Sequence, residues 1–355
     1  MSYRVPSMRE IRELPPNGYT VVSTFSGAGG SCLGFRMAGF RIVYANEFVE
    51  AARNTYEANA DPRTLVDSRD IRQVTGQEIL RLTGLAEVDV LEGSPPCQAF
   101  SSAGKRDAGW GKVAAHADGS VQRSDDLFFE FARVLGELRP RMFVAENVSG
   151  LAKGRASGML REIMQALRRQ GYAVEARLLN AARLGVPQDR ERVIFVGVRE
   201  DQDTQPRFPA PMAKLVTLRE AIGGKDEARL SRGEAKLLSE KQAMLYHRTI
   251  PGKSFSDAAK AMTGKASWFN YRRLAWGKPS PTLMVSPCAL HPDVPRSLTA
   301  SELRRVGSFP DDFELVGTYE EQHARVGNAV PPLMMRAVAE AVREMLREAD
   351  RGSRL

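Results

Sequence analysis

Five apolar runs, each separated from the next by stretches that hold a helical period, most constrain what this chain can become. They are TVVSTF (20–25), RIVYA (41–45), VDVLE (88–92), RMFVAE (141–146) and RVIFVGV (192–198). The intervening segments fit helices through Leu33, Met37 and Ala38, then over 48–58, 125–138 and 157–170. Strands alternating with helices predict an α/β domain built on a mostly parallel sheet. With 355 residues, 43% of them hydrophobic, there is ample material for one large core or two smaller ones.

The character changes near residue 200. Residues 201–295 carry a proline cluster (Pro206, Pro209, Pro211) and no sustained period, which predicts a separate, loop-rich region. Within 248–280, Arg248, Lys253, Lys260, Lys265, Arg272, Arg273 and Lys278 face Asp257 alone, with Trp268, Phe269, Tyr271 and Trp276 interleaved. This is either a surface for a polyanion or a solvated loop whose aromatics form a small core. A net charge of +8 fits a polyanionic partner. Leu333, Val338, Val342 and Leu346 mark a last helix over 333–348, expected to pack back on the first domain. Cys32, Cys97 and Cys288 are scattered and odd in number, so neither a disulfide framework nor a zinc site is expected. No apolar run reaches membrane-spanning length and MSYRVPSMREIRELPP has no signal-peptide core, so the expectation is a soluble protein in a reducing, intracellular compartment.

In open α/β sheets ligands sit beyond the carboxyl ends of the strands, and GAGG (27–30) follows the first strand there. A dinucleotide fingerprint needs a third glycine where Cys32 stands, which disfavours a nicotinamide oxidoreductase. No lysine follows, which excludes a phosphate-binding P-loop. A turn for a nucleoside without phosphates stays open. Glu47, after the second strand, could bond ribose hydroxyls, and Asp70 could accept from an adenine amino group. Each is alternatively a helix cap or surface charge; their order behind the glycine turn favours a pocket.

The strongest local signal is GSPPCQAFS (93–101). Two prolines fix the backbone into Cys97, an unusual setting for a merely buried thiol, and a thiolate so held is a nucleophile. Glu146 of ENV (146–148) ends the next clear strand, beside Cys97 or as a cap. The arginines of QDRER (188–192) precede a strand, so they reach the same edge only if that strand runs antiparallel, as a hairpin from 173–180 to 192–198 would make it; otherwise Arg190 and Arg192 are surface ion-pair partners.

These motifs together resemble the DNA cytosine-5 methyltransferase family, of prokaryotic or phage type. FSGAGG (25–30) is similar to its cofactor motif, GSPPCQAFS to its catalytic loop, and ENV and QDRER to its base-binding motifs. RRLAWGKPSPTL (272–283) with HPDVPRSLTASELRRVGSFPDDF (291–313) resembles the segment supporting DNA recognition, and VGNAVPP (326–332) the final cofactor motif. The resemblance implies a Rossmann-like S-adenosylmethionine-dependent methyltransferase fold with one antiparallel strand. It implies a catalytic and cofactor-binding domain over 1–200 and 323–355, and a smaller recognition domain over 201–322. Cys97 would attack carbon 6 of a cytosine flipped out of duplex DNA, Glu146 would bond the ring nitrogen and amino group, Arg192 the ring oxygen, and Arg190 would support it. Phe25, Ser26, Gly27, Ala28, Gly29, Gly30, Glu47, Phe48, Asp70, Ile71, Pro96, Leu127, Asn328, Ala329 and Val330 would line the S-adenosylmethionine pocket, which releases S-adenosylhomocysteine. Gln98, Ser101 and Arg123 of a mobile loop over 98–125, with Arg272 and Arg273, would touch DNA. No metal is implied. A monomer in the cytoplasm, associated with the nucleoid and modifying the site of a separately acting restriction endonuclease, goes with that family. Ser23 stands where the family often has Asp, Gly307 where Gln is common, and 104–122 make the loop long. An RNA (tRNA) cytosine methyltransferase on the same scaffold lacks support, because no Cys-Phe-Thr signature is present. A non-catalytic DNA-binding relative would lack Cys97 or Glu146, and both are present.

Overall fold

The computed structural model describes residues 3–96, 113–115, 121–123, 126–152, 157–223 and 234–352. The first half runs α1 (Met8–Glu13), β1 (Thr20–Thr24), α2 (Gly30–Met37), β2 (Arg41–Asn46), α3 (Glu50–Asn59), β3 (Leu65–Asp67), α4 (Gly76–Thr83), β4 (Val90–Gly93), β5 (Val113–Ala115), β6 (Val121–Arg123), α5 (Leu127–Leu138), β7 (Met142–Val148), α6 (Ser157–Arg168), β8 (Tyr172–Asn180), β9 (Gln188–Asp189) and β10 (Glu191–Arg199). Seven strands form one sheet in the order β3-β2-β1-β4-β7-β10-β8. The five strands from β3 to β7 are parallel, whereas β10 runs antiparallel to both β7 and β8. The hairpin needed to bring QDRER to the carboxyl rim is therefore present.

Both faces of the sheet are covered, which is why its strands read as nearly continuous apolar runs. Val21, Val90, Val144 and Ile194 face one core with Cys32 and Phe35 of α2 and with Met334, Val338, Val342 and Leu346. Their neighbours Val22, Leu91, Phe143 and Val193 face the other, under Ile79 of α4, Phe128 and Phe131 of α5 and Leu167 of α6. The C-terminal helix, which carries Met334, Val338, Val342 and Leu346, thus packs on the first domain as expected.

Residues 201–352 add α7 (Leu218–Ile222), α8 (Glu240–Arg248), α9 (Ser256–Thr263), β11 (Arg272–Arg273), β12 (Ser280–Pro281), β13 (Ala289–Leu290), α10 (Ala300–Val306), α11 (Tyr319–Asn328) and α12 (Pro332–Gly352). The stretch expected to be loop-rich holds helices of five to nine residues and strands of two. Such pieces are too short to show a period in sequence. A third core joins Met8 and Ile11 of α1 and Leu33 and Met37 of α2 to Leu218, Leu274, Leu298, Leu303 and Phe309. A fourth, around Leu245, Tyr246, Phe255 and Leu290, takes in Trp268 and Tyr271. Among the described residues, no helix is long and apolar enough to cross a membrane.

Candidate active site

The carboxyl rim of the sheet begins at the glycine turn. Phe25, Gly27 and Gly29 all have left-handed backbones, with φ of 54°, 57° and 88°. That sequence of turns brings the chain from β1 into α2 within a few residues, and a side chain at Gly27 would point into open space. Glu47, at the end of β2, is buried and accepts hydrogen bonds from the Gly27 amide at 2.7 Å and the Val49 amide at 2.8 Å. Burial pushes its carboxyl above the usual range, against the pull of those two amides. Gly30 lies against the Val330 carbonyl and the Ala329 side chain, so VGNAVPP closes directly over the turn. Asn328 is exposed beside it.

Asp70 caps the short 3-10 turn at Ile71–Gln73 through the Arg72 amide and pairs with the Arg72 guanidinium at 3.0 Å. The cap proposed as one alternative for this residue is therefore real. Arg72 also bridges to Asp126 at 2.6 Å, which brings Asp70 to the start of α5. Ile71 and Leu127 share the second core. Ser26 and Ala28 are buried in the turn, and Phe48 is half-buried beyond β2.

On the next strands the structure joins two groups that lie far apart in sequence. Glu146 near the end of β7 stands opposite Ile194 of β10, and Arg192 is two residues earlier on β10, on the same face. The Arg192 Nε lies 2.7 Å from Glu146 Oε1, and both side chains are largely buried. Arg190 is almost completely buried. Its guanidinium donates to the Leu283 carbonyl at 3.2 Å and the Asn328 carbonyl at 3.4 Å. Burial, with the charge of Arg192, pulls it down to about 9. Arg190 thus ties the chain entering β10 to the segment after β12 and to the end of α11. Cys97, Gln98 and Ser101 lie outside the described residues, and Arg123 falls in β6, whose side chains are not described. The chain leading to Cys97 passes along the Glu146 strand at Pro95. There Asn147 Nδ2 donates to the Pro95 carbonyl at 3.1 Å, clamping the chain just before Cys97 onto the Glu146 strand.

A model of the C-5 cytosine-specific DNA methylase family matches residues 19–344. The chain belongs to that family. The methylase is 33% identical to type II methyltransferase M.PspPI of Psychrobacter sp. over 357 aligned residues, covering 95% of this chain and 82% of the relative. It is 31% identical to type II methyltransferase M.FnuDI of Fusobacterium nucleatum over 358, covering 93% and 96%. A putative DNA modification methyltransferase encoded within an E. coli prophage superposes with a TM-score of 0.75 at 23% identity, over 93% of the methylase and 100% of that chain. The S. pombe Dnmt2 methyltransferase gives 0.61 at 15%, over 93% and 98%. The methylase thus has the S-adenosylmethionine-dependent methyltransferase fold, and its activity is that of a DNA cytosine-5 methyltransferase.

The remaining expectations concern DNA contacts. Arg272 of β11 donates to the Gly252 carbonyl, and Arg273 to the Pro292 and Thr249 carbonyls while lying over the Tyr246 ring. Both guanidinium groups brace the methylase from within. Trp268 and Tyr271 pack in the fourth core, Trp276 bonds Asp293, and Phe269 alone of the four aromatics is exposed. Three useful residues had escaped notice: Asn147, Gln188 and Glu92. Gln188, fully buried, accepts from the Leu283 amide at 3.1 Å. Its place in QDRER was the available signal.

Proposed function

We propose that this enzyme transfers the methyl group of S-adenosylmethionine to carbon 5 of a flipped-out cytosine in a specific duplex DNA sequence, through a covalent Cys97 adduct. The observation that carries this is the Glu146–Arg192 pair on the carboxyl rim, one strand away from the strand that runs into Pro-Pro-Cys. The cofactor fits the donor set. Glu47 is a buried carboxylate facing a left-handed glycine turn that leaves open space, which suits a diol-bearing nucleoside without phosphates. S-adenosylmethionine supplies a methyl group on a sulfonium, which carbon 5 of the activated ring can take.

Cys97 Sγ adds to carbon 6, and the electron pair of the carbon 5–carbon 6 double bond becomes available at carbon 5. Glu146 hydrogen-bonds the ring nitrogen N3 and the exocyclic amino group, and holds the proton that N3 takes up as the thiolate adds. Arg192 sits against the ring oxygen and answers the charge that develops there, a contribution typically of a few kcal/mol. Arg190 keeps Arg192 at the rim. After methyl transfer the carbon 5 proton leaves, the Sγ–carbon 6 bond breaks, and the ring double bond is restored. Flipping the base out costs roughly a few kcal/mol, offset by contacts from the loop and the basic region.

Residues 1–200 with 323–355 would carry the chemistry, and 201–322 would read base edges in the major groove. The names of its relatives support a type II modification enzyme; the same reading has it act on cytoplasmic DNA alongside a separate restriction endonuclease. Methylation-sensitive sequencing of plasmid DNA from cells expressing the protein tests this: 5-methylcytosine at one sequence is expected, and none from Cys97→Ala. Methylation persisting in that variant, or found only in RNA, overturns the proposal.

A further inference from the structure

On the face of the sheet that packs against α2, the pattern predicts only apolar residues. Val21, Val90 and Val144 obey it. Glu92 does not. It follows Val90 on that face of β4, directly between Ser23 of β1 and Val144 of β7, and it is 1% exposed. A carboxyl so placed is destabilising unless donors answer it. Here three do, and they come from the two ends of one turn. The Ser23 hydroxyl, at the end of β1, donates to one carboxyl oxygen, and Cys32 Sγ reaches the same oxygen at 3.3 Å. The Ser31 hydroxyl, in the first turn of α2, donates to the other at 2.7 Å. Ser23 is also hydrogen-bonded to Ser26 inside the turn, at 2.7 Å. Burial pushes the Glu92 carboxyl up against these donors, and the charge of Glu146 acts in the same direction.

We propose that Glu92 is a positioning residue for methyl transfer: its carboxyl clamps both ends of the 25–30 turn to the strand that leads into the catalytic loop. This rests on the reading that the turn seats S-adenosylmethionine. The clamp spans what the reaction must hold in register. One side of β4 is the cofactor's turn, and four residues beyond its end is the nucleophile. Ser23 and Glu92 are paired in register, so a carboxyl at either position can reach the same donors of the turn.

The test uses the full-length enzyme and three variants, Glu92→Gln, Glu92→Ala and Ser23→Asp/Glu92→Ala. Calorimetric affinity for S-adenosylhomocysteine and for duplex DNA is measured separately, with the melting temperature of each protein. Glu92→Ala should weaken S-adenosylhomocysteine by about tenfold or more while DNA affinity stays within about twofold, because a displaced turn misplaces one ligand only. Ser23→Asp, which offers a carboxyl from the facing strand, should recover most of that loss. Glu92→Gln, which keeps the shape but turns a donor toward at least one of the three donors, should fall between and remains measurable if the alanine variant does not fold. Wild-type affinity in Glu92→Gln and Glu92→Ala overturns the clamp, as does a loss that Ser23→Asp leaves untouched. A wild-type protein that binds no S-adenosylhomocysteine sinks the cofactor reading and the clamp together. Wild-type binding with unaffected variants sinks the clamp alone.

Discussion

At the scale of single residues, the site turns on a cross-strand pair whose members depend on each other. Glu146 and Arg192 are both largely buried, and removing either charge leaves the other without its partner, at a cost of about 3 kcal/mol or more when geometry is lost as well. Glu146→Gln keeps an acceptor oxygen for Arg192 but cannot hold the proton at N3. Its melting temperature should stay close to wild type while turnover falls by about 100-fold or more, the usual effect of removing one pre-aimed group. A loss confined to cofactor affinity, seen in steady-state kinetics, would contradict the placement of this residue. How far residues were legible in sequence follows from the same distinction. Cys97 stood out because a rigid turn of Gly, Ser and Pro is an unusual setting for a packed thiol, whereas Glu146 and Arg192 were set apart from a cap and a surface ion pair only by the family resemblance. Asp70 offered two meanings that differ only in what surrounds it, and sequence does not hold the surroundings. Arg272 and Arg273 looked like free charge because the carbonyls that engage them, at Gly252, Pro292 and Thr249, belong to loops with no signature.

At the scale of elements, the reversal of β10 was legible only as a condition: the QDRER arginines reach the rim if that strand runs antiparallel, and the family resemblance implied one such strand. The close approach of α2 to VGNAVPP and the start of α12 was not, because it depends on glycines whose neighbours come from the far end of the chain. Gly34 has the Arg336 amide and the Pro332 carbonyl 2.7 Å from where a Cβ would stand, and Gly30 has the Val330 carbonyl. Gly30→Ala should therefore push Ala329 and Val330 off the turn. Overpacking of this kind costs about 1–3 kcal/mol, and the expected result is a lower melting temperature together with weaker S-adenosylhomocysteine binding. A variant that melts lower but binds normally would separate VGNAVPP from the pocket. In the second region, Glu302 closes a capping box on Thr299 at the start of α10 and pairs with Arg296 through two bonds of 2.7 and 2.9 Å. Burial raises its carboxyl, but the Arg296 bonds outweigh that and hold it below its ordinary value of 4.5. A depressed carboxyl stabilises the fold above its unfolded value and loses that contribution as pH falls through the folded one. The stability gap between wild type and Glu302→Gln, about 2 kcal/mol at neutral pH for a charge-assisted pair, should close as the solution is acidified below 4.5. Thermal melts across that range measure it, and a gap independent of pH would show that the pair contributes packing alone.

At the scale of the whole molecule, the net charge of +8 is unevenly available. Of the seven cationic side chains in 248–280, Arg272 and Arg273 are engaged internally, while Arg248, Lys253, Lys260, Lys265 and Lys278 are exposed. Only exposed charge can displace counterions from a phosphate backbone. If all five reach phosphates, the logarithm of duplex affinity should fall with the logarithm of salt with a slope of about −4 to −5, not the −6 that seven would give. The two kinds of cation should then part company under mutation. Lys260→Glu with Lys265→Glu should flatten the slope by about 2 and leave melting unchanged, because both side chains are exposed on the surface. Arg273→Ala should do the reverse, lowering the melting temperature through the lost Pro292 and Thr249 bonds and the Tyr246 stack, with little change in slope. Fluorescence anisotropy over a salt series, beside a melt of each protein, decides between them. A slope that responds to Arg273 and not to the lysines would move the DNA to the other side of the fourth core, and with it the surface that reads the sequence.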